Sequence, residues 1–277
     1  MIDGMLEDLC GKDLFTGIWQ TLKINLFSAD GDYAVALGIV ESIYSSIIQP
    51  LAIMLMIIYF MLAIGDKLSS ENFTWQQMGR QMAMFLASFY LINHGFEILE
   101  LLFQLGLILT TNVYSAVQDD LLASDQLNNV KTVIETFKGT IKVPNFLKDI
   151  VLFVYLLIPW ALSWIMGLAV KIICYTRIIE IYVRATFAPV ALSDFFHSGL
   201  QGAGWRFLKS FLAVCLQGAL ILVITTIYSA LFNVVAGAAD PGWSLFKFLG
   251  VYLALMASAC MLMFKSLSLS KELLGIN

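Results

Sequence analysis

Two histidines, His94 and His197, are the only imidazoles in this sequence, and each has acids nearby. His94-Gly95-Phe96-Glu97, with Glu100 a turn further on, is the densest group of residues able to handle protons or a metal. It is not HExxH, which sets two histidines on one helical face beside a third ligand. Polar side chains facing other helices or water near a turn are the simpler reading; a metal or proton relay is the sharper one. Asp194 and His197 have the types for acid–base work, yet no nucleophile pattern such as GxSxG lies near them. Neither a P-loop nor a dinucleotide fingerprint is present. The cysteines Cys10, Cys174, Cys215 and Cys260 are scattered, without CxxC, and read as small buried hydrophobes. No catalytic residue, no metal and no cofactor is therefore expected, and the chain is not read as an enzyme.

The other charged constellation lies in Lys171–Gln217, where positive charge, helix breakers and apolar residues interleave within a few turns. Arg177, Glu180 and Arg184 recur at i, i+3 and i+7, which gives a helix one polar stripe among Ile178, Ile179, Ile181 and Val183. An ion-paired stripe that keeps a membrane-edge helix wetted is the plain reading. A rim for an anionic polymer, with Arg206 and Lys209 added, is the sharper one. Ala188-Pro189 is expected to interrupt the helix. Gly199, Gly202 and Gly204 are expected to mark a turn.

These residues sit in a chain that is 60% hydrophobic and 13% charged, with mean hydropathy +0.84. Soluble domains carry about 25% charge, so lipid must solvate much of this one. The fold class expected is all-α: a polytopic membrane helical bundle of about five transmembrane helices, six being possible, with an N-terminal amphipathic helix. Continuous apolar runs exclude a β-barrel. The acidic start MIDGMLEDLC has no basic n-region, and Cys10 no apolar leader, so internal spans are expected to drive insertion. A net charge of −4 argues against a surface that coats nucleic acid generally.

Residues 1–41 are expected to be an extracytoplasmic segment, because seven acids and two lysines fall before residue 42. Within it Leu14, Phe15, Ile18, Trp19, Leu22 and Leu26 keep helical spacing, which suits the membrane interface, a partner, or a cap on the chain's own bundle. Residues 42–277 form the transmembrane domain. Spans are expected at about 42–65 (kinked by Pro50), 78–117, 150–170, 210–239 and 246–264. A mixed-charge external loop at 119–149, with a surface helix in it, and a cytoplasmic elbow at 171–209 complete the domain. The 78–117 stretch is ambiguous, since Asn93-His94-Gly95 could turn a hairpin. Asn93, Glu97, Glu100, Gln104 and Thr111 keep helical spacing across that point, which favours one continuous helix with a polar stripe. Gly250, Ala254 and Ser258 make a small-residue ridge for helix packing. Lys171, Arg177, Arg184, Arg206 and Lys209 crowd near span ends, which places the elbow and the C-terminus in the cytoplasm and the N-terminus outside.

At the elbow the sequence resembles a known family. RIIEIYVRATFAPVALSDFF, then a glycine-rich turn and FLKSFLAVCLQGALILVI, is similar to the signature region of TrbL-type polytopic inner-membrane subunits of type IV secretion (conjugation) systems, in the form found in Gram-positive integrative elements. Arg177 through Glu180 to Arg184, Ala188-Pro189, Asp194 and Gln217-Gly218 carry the resemblance; the long soluble C-terminal tail of larger relatives is missing. The resemblance implies a non-enzymatic channel or scaffold subunit in the bacterial cytoplasmic membrane, assembled as a homo-oligomeric ring. Cytoplasmic ATPases, bitopic membrane proteins and lipid would surround it, and transferred DNA would touch it in passing. The alternative is a small-solute secondary transporter with Glu97 and Glu100 at its site; an intramembrane hydrolase would depend on His94 or His197.

Overall fold

Chain segments that leave water must satisfy every backbone donor and acceptor internally, and here they do so as helices. The computed structural model describes residues 12–28, 30–31, 33–68, 75–121, 145–194, 202–237 and 245–276, and among them every regular element is helical. In order these are α1 (Lys12–Leu22), α2 (Ala34–Ile43), a π-helical stretch (Tyr44–Ile48), α3 (Gln49–Leu68), α4 (Trp75–Asn93), α5 (Gly95–Leu121), α6 (Asn145–Ser193), α7 (Ala203–Gly237) and α8 (Leu245–Leu273). Among the described residues five stretches are long and apolar enough to cross a membrane: Ala34–Gly65, Gly95–Val117, Trp160–Ser193, Ala203–Val235 and Lys247–Leu273. The shortest has 23 residues, where about 20 suffice. The all-α polytopic bundle expected from composition is what the chain forms. Large apolar side chains such as Met61, Ile165, Ile227 and Phe264 stay exposed on these helices, which costs nothing against hydrocarbon.

Three helix boundaries differ from expectation, each for a local reason. The first span begins at Ala34, not residue 42, and it absorbs Pro50 through the π-helical stretch just before it. There the Gln49 amide donates to the Tyr44 carbonyl, a wider i to i−5 turn. Proline lacks a donor and crowds the turn before it, so a wider turn at that place relieves both. The stretch 78–117 is not one helix: α4 stops at Asn93 and α5 begins at Gly95. The His94 amide still donates to the Tyr90 carbonyl (2.9 Å) and the Ile98 amide to that of His94 (3.1 Å), so the chain bends at His94 with helical bonds reaching it from both sides. Only the α5 part qualifies as a span; Gln76, Gln77, Arg80 and Gln81 keep α4 too polar.

The third difference concerns 150–209. The expected span and most of the expected elbow are the single helix α6, 49 residues long, with its apolar window at Trp160–Ser193. Lysine, arginine and glutamate are good helix formers, so charge alone does not end a helix. Ala188-Pro189 does not break it either. Pro189 withholds one amide from the Ala185 carbonyl, and α6 ends only four residues later. The surface helix and most of the loop expected at 119–149, and His197 and Gly199 of the expected turn, lie outside the described residues.

Contacts divide the chain into two units: Met1–Lys23, Leu109–Thr176 and Gly218–Ser266 form one, and Ile24–Ile108, Arg177–Gln217 and Leu267–Asn277 the other. In the first, α1 lies on its own bundle. Ile18 and Leu22 are buried with Val170, Ile173 and Ile221, and the Trp19 ring stacks on Tyr114 at 3.7 Å. Of the three roles open to this amphipathic helix, its apolar side chains serve the cap. The second unit is centred on Phe103, Ile181, Tyr182 and Phe211. Phe27 packs there against Phe96 and Phe103, and the Tyr182 hydroxyl donates to the Leu26 carbonyl at 2.9 Å, which pins the turn before α2.

Candidate functional site

The expected polar stripe of α6 divides in two. Arg177 is 3% exposed. Its guanidinium reaches across to α7, where Nε donates to the Val214 carbonyl and Nη2 to the Cys215 carbonyl, each at 3.1 Å. A carbonyl oxygen has two lone pairs, so these can accept from arginine as well as from their own helix. The planar fork matches two successive carbonyls in a way a lysine cannot. Such charge-assisted bonds contribute about 1.5–3 kcal/mol. Gly106 of α5 approaches the same turn of α7. A Cβ there would come within 2.8 Å of the Cys215 Cβ and carbonyl oxygen. Arg177 of α6 and the bare backbone of Gly106 thus both meet α7 at Cys215.

One turn along α6 the surviving part of the stripe is solvent-touched. Arg184 pairs with Glu180 on its own helix and donates from Nη1 to the Ser210 hydroxyl of α7 at 2.5 Å. The pair's side chains are 19% and 25% exposed. At the start of α7, Arg206 and Trp205 are exposed, and the Lys209 ammonium lies 5.9 Å from the Trp205 ring centre. Asp194 takes a structural role: its Oδ2 accepts from the Ala203 amide at 2.9 Å, an N-cap for α7. The corner between α6 and α7 thus presents Arg184, Arg206 and Lys209 beside the buried Arg177.

The second expected stripe gathers at the bend. Gln49 donates to the Asn93 side-chain oxygen (3.0 Å), and Asn93 donates to the Phe89 carbonyl (2.9 Å), which ties α3 to the end of α4. The Tyr44 hydroxyl, from the π-helical stretch, donates to the Ile92 carbonyl at 3.0 Å, where the bend interrupts the helical ladder. Gly95 is needed there: a Cβ would meet that hydroxyl at 2.8 Å. His94 Nδ1 lies 3.1 Å from Glu97 Oε2, an exposed pair, and Gln104 donates to Glu100 at 3.1 Å. Glu97 and Glu100 are thus each engaged by a neighbour on their own chain segment rather than converging on a shared site. Gly250, Ala254 and Ser258 are exposed on α8, and no atom lies within 4 Å of where a Gly250 Cβ would stand.

Gly106, Ser210 and Tyr44 were absent from the sequence-based candidates. Gly106 sits in an apolar run with nothing in its spacing to mark it, and Ser210 and Tyr44 gain their roles only from a partner helix.

The family described as TrbL/VirB6 plasmid conjugal transfer like protein matches residues 34–189, more than half of the chain. The matched stretch includes α2 through α5, the bend and the whole Arg177–Arg184 segment. No curated protein and no solved structure matches the chain.

Proposed function

The chain belongs to the TrbL/VirB6 plasmid conjugal transfer family, and we propose that it is the polytopic subunit around which a conjugative transfer channel is built. The match over residues 34–189 carries the reading, and it makes the protein a multi-pass membrane component of a type IV secretion system. In this reading copies of the chain assemble as a ring in the cytoplasmic membrane, with an ATPase below and bitopic subunits around it, and the ring conducts or scaffolds a DNA–protein substrate. On the same reading the α6–α7 corner faces the cytoplasm, supported by Arg206 and Lys209 in the first two turns of a span, where the positive-inside rule counts most. The N-terminus and the 119–149 segment then lie outside and the C-terminus inside. Subunit contacts use exposed faces such as the Gly250–Ala254–Ser258 ridge, which lets two helices approach closely.

Two measurements test this. Native mass of the detergent-extracted protein is expected to give a closed multiple of the 30.8 kDa chain; a monomer that stays monomeric with its partner subunits present would remove the ring. Arg206→Glu with Lys209→Glu is expected to lower DNA transfer roughly tenfold or more, the size of effect that an attractive field exerts on a charged polymer. Both side chains reach solvent, so accumulation in the membrane should not change. Transfer at the wild-type rate would deny the corner a place on the DNA path.

A further inference from the structure

A small cavity in the first unit has a wall chemistry that the transfer function leaves unused. Met256, Cys260 and Met263 recur at i, i+4 and i+7 of α8 and so share one helical face. With Met166 and Val170 of α6, Tyr228 of α7 and Ala259 they line this cavity. Four of its seven lining residues carry sulfur, in a chain of 277 residues with 12 methionines and four cysteines. Met256, Cys260 and Met263 are 8%, 8% and 3% exposed, and Cys260 is a free thiol. The cavity measures about 20 Å³, room for one body the size of a water molecule. A buried water needs two to four polar partners, and apart from one phenol these walls offer only thioethers and a thiol.

We infer that the cavity is a site for one soft monovalent cation, Cu(I) or Ag(I), held by the sulfurs of Met166, Met256, Met263 and Cys260. Thioether and thiolate ligands select such ions over the harder divalent metals. Charge balance points the same way. Binding replaces the Cys260 proton by the ion, so that Sγ–H plus M⁺ gives Sγ–M plus a released H⁺. The loaded site is then neutral, whereas a divalent ion would leave a net positive charge at membrane depth. Packing alone, with methionine filling an irregular gap, is the rival explanation, and it predicts no metal affinity.

The test is titration of the full-length, detergent-purified protein with silver nitrate in chloride-free buffer, following heat and proton release. One tightest Ag(I) per chain with release of one proton is expected. Met256→Leu with Met263→Leu, which conserves volume, is expected to weaken that site about tenfold or more while all four thiols remain; Cys260→Ala should remove its proton release. Unchanged affinity in the double leucine variant would overturn the proposal, because silver would then be titrating thiols wherever they lie. Absence of a tight site in the unaltered protein would do the same. A melting curve confirms that each variant is folded, and Met166→Leu replaces the double variant if that one is not.

Discussion

Gly106→Leu is expected to prevent the protein from accumulating in the membrane in a folded form, and Gly106→Ala to lower its melting temperature clearly. Even the alanine methyl would stand 2.8 Å from the Cys215 Cβ and carbonyl oxygen and 3.0 Å from the carbonyl carbon. Two of those three atoms are backbone of a buried helix, so no rotamer change relieves the contact. The helices must move apart, and overpacking of this kind costs about 1–3 kcal/mol for a small increment and more for a large one. Separation of α5 from α7 also disturbs the two carbonyls on which Arg177 depends. The measurement is fluorescence-detected gel filtration and melting of the extracted protein. As a control, Gly250→Ala adds the same methyl where nothing lies within 4 Å, and it should leave the melting temperature unchanged. Equal behaviour of the two alanine variants would show that the α5–α7 contact is not close in the membrane.

Gly106 also marks where sequence reading stops. Composition and run length were enough for the all-helical polytopic bundle, because a lipid solvent leaves the backbone few choices. The motif from Arg177 to Pro189 was enough to point to the family, which the match over 34–189 then showed. What the one-dimensional pattern lacked was depth. Charged residues read as the end of a span, which makes 171–209 an elbow; in the structure Arg177 finds its acceptors inside the bundle and α6 continues to Ser193. Polar spacing across 93–104 likewise read as one helix. Helical periodicity survives a bend of one residue, and the spacing of Asn93, Glu97, Glu100 and Gln104 hardly registers the interruption of the ladder at the Ile92 carbonyl. Gly95, flagged as a possible turn, was the better signal. Its missing side chain is what admits the Tyr44 hydroxyl.

Arg177→Glu and Arg184→Glu, neighbours in one motif, are expected to fail in different ways. At residue 177 the glutamate would place a carboxylate against two carbonyl oxygens that now lie 3.1 Å from a guanidinium, at a site 3% exposed. A carboxylate buried against carbonyl oxygens has lost its hydration and faces only acceptors there, which costs several kcal/mol. The protein should be degraded or aggregated, and transfer should fall below detection as a consequence. Arg177→Lys is the milder probe. It keeps the charge and loses the fork, so one of the two carbonyl bonds goes and melting falls while folding persists. At residue 184 the side chain is partly in solvent and bonds Glu180 and Ser210. Its reversal sets two acids one turn apart, but both positions touch solvent, which screens the repulsion in a way the site of Arg177 does not allow. Arg184→Glu should therefore accumulate normally and lower transfer through the altered charge of the α6–α7 corner. Immunoblots of membrane fractions beside mating assays separate the two. Normal accumulation of Arg177→Glu would sink the buried clamp, and normal transfer by Arg184→Glu would take that residue off the substrate path. Reduced accumulation of both would mean that the whole stripe is structural, and the proposed substrate contact would then rest on Arg206 and Lys209.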